Sequence, residues 1–504
     1  MNKIFRILFS RFVVNLFLIL LQMLLIVMII AYFDMMSVTL YVITMFLGGV
    51  VSFIILSRRG NPELKIPWVI VLILFPIFGL LIYLLNVRKK EKLKYQSTKV
   101  KAKHYMSQDF SKIKDIEEEN LMIAGQAKYI VNSAHFHIYG NTRAKYYPIG
   151  EEMFVDIIAE LKKARKFIFI QSFIIAEGYM WDSILEILKE KVVEGLEVRV
   201  SYDDVGCIWS LSNNYYQQLQ EVGIKCVVFN RLKPNLSIIY NNRDHRKMIV
   251  IDGNVAFTGG INIADEYINR KERFGHWKDN GIKLEGEAVQ NLTSIFLNTW
   301  NMLTGEEDDL NNYMPTIEVK ETDGYFAPFD DNPLDLEPVG ETVYINMINS
   351  ASEYVYITSP YLLLSYSLLS ALSNAAKRGV DVKIITPGIP DKWIIHAITQ
   401  SFYTNLIEAG VKIYEYEKGF IHSKMFLCDD VVGVVGTINL DYRSLHYNYE
   451  NAVWIYNSSI LRDMKIDLID TKSKSRLMTI EEYKNTPWYK RIIGAFLKIF
   501  APLI

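Results

Sequence analysis

The chain has 504 residues, half of them hydrophobic, and a formal net charge of −1 at neutral pH. That length exceeds one compact domain and fits two or three, while the balanced charge gives no bulk electrostatic reason to expect a nucleic-acid partner. Cys207, Cys226 and Cys428 are scattered without a Cys-x-x-Cys pair, and the histidines are not grouped with carboxylates at ligand spacing. Neither a disulfide framework nor a metal site is visible in this pattern, no cofactor is expected, and a reducing compartment fits.

Three apolar stretches open the chain, at about 12–33, 36–56 and 66–85. The first two are each long enough to cross a hydrocarbon core of about 30 Å as helices. Only Asp34, Met35, Met36 and Ser37 part them, which reads as a tight hairpin. The third carries Pro67 at its start and Pro76 and Gly79 inside. Basic clusters flank all three: Lys3/Arg6/Arg11, Arg58/Arg59/Lys65, and a run from Arg88 to Lys103. Every cluster is cytoplasmic if the third stretch turns back at Pro76 or lies in the interface, which the positive-inside tendency favours. The alternative is three crossings with the N-terminus outside. Beside a membrane the basic run meets anionic headgroups, each charge contributing roughly 1 kcal/mol. Residues 1–90 thus read as a multi-pass membrane leader and 91–125 as a basic juxtamembrane linker, with the remainder on the cytoplasmic side.

The soluble part repeats itself. Lys163-Ala-Arg-Lys-Phe-Ile-Phe-Ile170 has a counterpart in Ser350-Ala-Ser-Glu-Tyr-Val-Tyr-Ile357, and Val193-Glu-Gly-Leu-Glu-Val-Arg-Val200 in Lys377-Arg-Gly-Val-Asp-Val-Lys-Ile384. Helices alternating with short apolar strands imply an α/β sandwich with a buried sheet in each half. The halves are placed at 126–304 and 341–485, with the Asp-, Pro- and Glu-rich segment 305–340 as linker. The first half carries about ten extra residues before its histidine, in the segment from Lys233 to Asn242. Residues 486–504 form a short amphipathic helix with Trp488, Ile492, Phe496 and Ile499 on one side. Such a helix either docks on the core or lies in the headgroup layer.

Within the repeat one phrase recurs. His245-Arg-Lys247 with Asp252 and Gly259-Gly260-Ile261-Asn262 is matched by His422-Ser-Lys424 with Asp429 and Gly436-Thr437-Ile438-Asn439. His and Lys two apart on extended chain project from the same face. Bringing the halves together gathers two imidazoles, two ammoniums and two amides around one pocket. That inventory suits a phosphodiester. Lys247 and Lys424 neutralise the non-bridging oxygens, and Asn262 and Asn439 hydrogen-bond them. One histidine attacks phosphorus and the other protonates the leaving alkoxide. An imidazole of reference pKa about 6.5 serves either role. Asp279 and Glu450, each downstream of the histidine in its own half, are the candidates for orienting the rings. Asp252 and Asp429 complete the catalytic motif by bracing the turn, since a carboxylate beside the phosphate would repel it.

With these residues in place the chain resembles the phospholipase D superfamily, whose HxKx4D motif occurs twice, and within it the bacterial cardiolipin synthases. The segments HRKMIVIDGNVAFTGGINIADEY, GHWKDNGIKLEG, EAGVKIYEYEKGFIHSK and GTINLDYRS carry the likeness. The resemblance implies two phospholipase D-type halves sharing one active site in a bacterial cell membrane. It also implies a phosphatidyl transfer between two phosphatidylglycerol molecules, giving cardiolipin and glycerol through a phospho-histidine. His245 is then the nucleophile and His422 the acid and later the base, an order that the residues alone leave open. A membrane hydrolase of the same fold, with water as acceptor, shares every step up to the covalent intermediate. The chain departs from the pattern in having Asp244, not Asn, before the first histidine, and Leu364 and Ser365 where a Pro-Asp pair is usual.

Overall fold

The computed structural model describes residues 20, 24, 35–86, 110–231, 242–334 and 337–503. Nearly all of the first apolar stretch, the basic run from Arg88 to Lys103, and the insertion before Asn242 lie outside the described residues.

In the leader, α1 (Met35–Ser57) is followed by α2 (Ile66–Leu74) and α3 (Pro76–Asn86). The break falls at Phe75, whose ψ of 67° leaves the helix, because a following proline disfavours the helical conformation. The chain then turns back, with Gly79 against Val71 and Leu72, and both short helices pack on α1. As far as its residues are described, no helix is long and apolar enough to cross a membrane.

Next come α4 (Ser111–Glu119), inside the segment expected to be a linker, and α5 (Leu121–Tyr129), which crosses its expected end at residue 125. They are structured because Ile113, Ile116, Ile123, Ala124 and Ala127 recur at helical spacing and are buried. Gln126 ties α5 to the second lobe, donating to Ser350 at 2.8 Å and accepting from Trp454 at 3.1 Å.

The first lobe runs β1 (Thr142–Tyr147), α6 (Gly150–Lys163), β2 (Phe167–Ser172), α7 (Tyr179–Val193), β3 (Glu197–Asp203), α8 (Tyr215–Glu221) and β4 (Lys225–Phe229). It continues through β5 (Met248–Ile251), β6 (Val255–Gly259), β7 (His276–Lys278), β8 (Gly281–Gly286) and α9 (Val289–Thr304). The second lobe runs β9 (Tyr325–Asp331), α10 (Val339–Ser350), β10 (Tyr354–Thr358), α11 (Tyr366–Lys377), β11 (Asp381–Pro387), α12 (Trp393–Gln400), α13 (Tyr403–Glu408), β12 (Lys412–Tyr416) and β13 (Gly419–Ile421). After β14 (Met425–Cys428) and β15 (Val432–Gly436) come α14 (Tyr442–His446), β16 (Glu450–Tyr456), α15 (Ile460–Ser473), β17 (Ser475–Leu477), α16 (Ile480–Asn485) and α17 (Trp488–Lys498).

The repeat read from the sequence is a repeat of topology. One sheet has the order β1-β8-β6-β5-β2-β3-β4 and the other β9-β16-β15-β14-β10-β11-β12-β17. In each, three parallel strands continue into antiparallel ones that carry the catalytic phrase. Central strands such as Phe-Ile-Phe-Ile-Gln-Ser in β2 and Met-Phe-Leu-Cys in β14 are buried throughout, as continuous apolar runs in a two-faced sheet should be. One apolar cluster includes residues of both sheets together with α5, α9 and α10.

The segment 305–340 is likewise more than a linker. It holds β9, which pairs along its length with β16 at the edge of the second sheet. Pro328 and the flanking acidic residues hide this strand from a pattern search, yet an edge position tolerates proline.

Candidate active site

Each catalytic phrase lies just ahead of a buried strand, β5 or β14, and each is pinned to the opposite lobe. The His422 N–H donates to the Lys278 carbonyl at 2.7 Å, extending the parallel pairing of β13 with β7. The His245 N–H donates to the Tyr449 carbonyl at 2.9 Å, and Tyr449 N–H returns a bond to Arg243 at 2.8 Å. The residue after each acceptor is a carboxylate: Asp279 follows Lys278, and Glu450 follows Tyr449.

The orienting acids are therefore crossed. His245 Nδ1 lies 2.9 Å from Glu450 Oε2, and His422 Nδ1 lies 2.6 Å from Asp279 Oδ2. The two carboxylates picked from the sequence each meet a ring, but it is the histidine of the other half, not its own. An ionised carboxylate only accepts, so a ring bonded to it carries its proton on Nδ1 and turns the Nε2 lone pair outward; at His422 the Lys424 amine also stands 2.9 Å from Nδ1. Glu450 is held by Thr437 and by Asn448 at 3.1 Å. In the first lobe Gly260 stands where Thr437 stands, and it must. A Cβ there would come within 2.0 Å of Asp279 Oδ1.

Electrostatics joins the half-sites into one. Burial pushes His245 down to about 4, against the pull of Glu450, and the Lys424 charge from the other lobe adds to the depression. Burial and then Lys424 push His422 down to about 3, with Lys247 contributing across the lobes. Burial lowers Lys247 to about 7, partly offset by Glu450 and deepened by Lys424. Lys424 falls to about 8, again mainly through burial. Burial would raise Asp279, but His422 and Lys424 hold it below the ordinary carboxylate range; His245 and Lys247 do the same for Glu450. Two ammoniums therefore balance two carboxylates around neutral imidazoles below about pH 7, and the balance turns negative as Lys247 and then Lys424 lose their protons.

Asp252 and Asp429 do not face the rings. Asp252 accepts the N–H groups of Arg165, Lys166 and Phe167 at 2.7–2.9 Å. Asp429 accepts those of Ser352, Glu353 and Tyr354 at 2.7–3.0 Å. Their φ values of 55° and 54° place each in the left-handed region at its turn. Both brace their turns through these bonds. Asp252→Ala is expected to lower stability by about 3 kcal/mol through three orphaned donors, as a shift in the denaturant midpoint, with the folded fraction still turning over.

The asparagines depart further from expectation. Asn262 is spent on the protein: its Oδ1 accepts from Ile174 N–H at 3.0 Å and its amide donates to Tyr267 Oη at 2.7 Å. Asn439 bonds the Asp441 side chain, while its Oδ1 is buried without a hydrogen bond. Neither amide is laid open toward a phosphate as the spacing suggested. Asn262 instead steadies Tyr267, whose ring packs edge-on to His422 at 5.5 Å.

Sequence reasoning passed over several neighbours. Phe173 stands edge-on to His245 at 5.1 Å and lies 5.5 Å from the Lys247 amine. Trp277 packs 5.6 Å from His422. Asn280 accepts the Lys424 N–H at 3.2 Å, and Asn451 donates to Thr258 at 2.8 Å. A signal was present. Ser172 ends β2 and Ser359 directly follows the equivalent β10, and each hydroxyl closes a turn onto the carbonyl two residues on at 2.7 Å. The Asp244 departure is accommodated by Arg246, whose Nε donates to it at 2.9 Å. Ser365 caps α11 and donates to Glu341.

A family model described as "Cardiolipin synthase, PLD-like domain" matches residues 157–300 and 344–468, one stretch in each lobe. A second, described as phospholipase D-nuclease N-terminal, matches 47–85. A cardiolipin synthase of Halalkalibacterium halodurans is 33% identical over 472 residues, covering 92% of this chain and 93% of the relative. A Streptococcus mutans protein is 42% identical over 461 residues, 90% of this chain and 100% of the relative. The crystal structure of phosphatidylserine synthase from Haemophilus influenzae shares the fold, with a TM-score of 0.56 at 15% identity, covering 75% of this chain and 98% of that one. With both lobes matched and identity sustained along most of its length, the chain belongs to the cardiolipin synthase family of phospholipase D-like proteins.

Proposed function

We propose that the protein is a phosphatidyltransferase that converts two phosphatidylglycerol molecules to cardiolipin and glycerol. The observation that carries this is the crossed pair of His–carboxylate dyads with both lysines in one buried site. His245 Nε2 attacks the phosphorus of the first lipid, the P–O bond to the glycerol headgroup breaks, and the His422 imidazolium gives the departing alkoxide its proton. A free hydroxyl of the second lipid then loses a proton to His422 and attacks phosphorus, and the P–N bond breaks. Lys247 and Lys424 carry the charge of the non-bridging oxygens through both transition states. The incoming phosphate anion, together with Asp279, raises the basicity of His422 and so lets it hold the required proton. Purified protein given phosphatidylglycerol labelled in its headgroup should release glycerol in step with cardiolipin. Phosphatidic acid in place of cardiolipin would mean that water is the acceptor and would overturn the transferase assignment.

Lys247→Ala or Lys424→Ala should each lower kcat/KM by about 3 kcal/mol, on the order of a hundredfold, the scale of one lost transition-state donor. The pH profile has a stated sign. In the free enzyme Lys247 and Lys424 lose their protons as pH rises through about 7 and 8, so kcat/KM should fall on the alkaline side from neutrality. With the phosphate anion bound the ammoniums are favoured, so kcat should hold to higher pH. Among the described residues no group of three or more His, Cys, Asp or Glu is placed to hold a metal ion. Because Lys247 and Lys424 carry the charge of the phosphate oxygens, a chelator should leave turnover unchanged; strict dependence on a divalent ion would argue against lysine-based neutralisation.

The leader is proposed to anchor this site in the cell membrane, with the lobes on the cytoplasmic side. Val42, Phe46, Val50 and Phe53 leave α1 exposed and apolar, and the return at Phe75–Pro76 supports a re-entrant third segment. Reporter fusions after residues 60 and 100 should then report the same side.

A further inference from the structure

The C-terminal helix docks in an inverted sense. Its small and basic side meets α12: Gly494 is buried, and a Cβ there would lie 2.3 Å from the Ala397 carbonyl. Lys498 Nζ sits 3.9 Å above the Phe402 ring and donates to the Ser401 carbonyl at 3.3 Å. The apolar side faces outward, with Trp488 71%, Ile492 59%, Phe496 60% and Ile499 49% exposed. Their spacing of four, four and three residues makes one stripe along the helix. On α12 the exposed side chains of Trp393 and Ile394 add to the apolar surface.

Between α12 and the start of α17 lies a cavity of about 300 Å³, lined by Trp393, His396, Gln400, Glu415, Arg476 and Lys490. Glu415 at its base is already satisfied, accepting from Gln400 at 3.0 Å, Tyr403 at 3.2 Å and Arg476 at 3.2 Å. His396 Nε2 is buried and faces Glu415 at 3.3 Å. Arg476, which also pairs with Glu482 at 3.8 Å, and Lys490 bring two cations to a lining whose one carboxylate is Glu415. The position is also informative. The last residues, Ala501–Leu503, pack beside the turn Pro62–Leu64 where the leader joins the lobes. Asp391, just before α12, bonds Tyr361 at 2.7 Å and acts electrostatically on Lys424.

We propose that α12 and α17 form a platform that lies on the bilayer, and that the cavity between them takes the phosphate of an anionic phospholipid in that surface. The stripe enters the acyl boundary, Arg476, Lys490 and His396 meet the phosphate, and the active-site mouth is held against its lipid. This rests on the membrane reading above and assigns the platform a partner of its own, a phosphodiester headgroup that is bound and not turned over.

The test uses the full chain in lipid nanodiscs. The three native cysteines are buried, so an environment-sensitive dye can be placed on Ile492→Cys, with Val193→Cys on the first lobe as control. In discs containing phosphatidylglycerol the residue-492 dye should shift to the blue and be quenched several-fold more by spin-labelled lipid than the control. Lys490→Glu should abolish the gain over discs of phosphatidylcholine alone, and Lys490→Arg should keep it. A residue-492 dye as exposed as the control in every disc overturns the platform. Equal insertion without anionic lipid, or in Lys490→Glu, overturns the headgroup site. Burial that follows protein concentration and not lipid assigns the stripe to a second copy of the chain and also overturns the proposal. None of these readouts needs turnover, so failure of the transferase assignment would show separately, as absent cardiolipin in discs where the dye still responds.

Discussion

His245→Ala and His422→Ala are each expected to lower cardiolipin formation by about 10⁴-fold or more, because nucleophile and proton donor act as one unit. The two variants should fail at different steps. With a lipid whose headgroup leaves without protonation, such as a nitrophenyl phosphodiester, His422→Ala should still form the covalent phosphatidyl-histidine and release nitrophenol in a burst. His245→Ala should give none. Both rings are buried and both rest on the opposite lobe's backbone, so circular dichroism and a thermal midpoint must accompany the kinetics. Full activity in either variant would end the two-half-site mechanism. A burst from His245→Ala and none from His422→Ala would reverse the assignment of nucleophile.

The crossed carboxylates make the second large prediction. Glu450→Gln should behave like a weakened His245 and Asp279→Asn like a weakened His422, each lowering turnover by about 10²- to 10⁴-fold. Glu450 touches the ring that attacks and Asp279 the ring that protonates. Glu450→Gln should therefore slow the nitrophenol burst, whereas Asp279→Asn should spare it and slow only the native glycerol-releasing reaction. Acids serving the histidine of their own half would give the opposite pattern. Each acid's pKa is held down by its partner across the lobes. Both variants should therefore change the pH dependence of kcat as well as its size, which loss of packing alone would not do.

Much of this was legible in the sequence, for reasons that can be named. The duplicated His-x-Lys phrase survives any reading because chemistry fixes both its residue types and its spacing. The helix–glycine–strand repeats survive because a two-faced parallel sheet demands continuous apolar runs. Asp279 and Glu450 were found as residues but matched to the wrong rings, since spacing along a chain carries no information about which lobe a strand faces. The asparagines misled for a related reason. Their spacing predicts an amide near the site, but only coordinates show that Asn262 is consumed by Ile174 and Tyr267. β9 and α4 were hidden in segments whose composition reads as linker, the former by Pro328 and the latter by its many charges around Ile113 and Ile116.

The exchange of acids between lobes has a bearing on what the smallest working unit can be. A fragment holding the first lobe alone keeps an imidazole without its acid and an acid without its imidazole, and the second lobe is in the same position. Mixing separately expressed lobes should restore chemistry only where they reassociate.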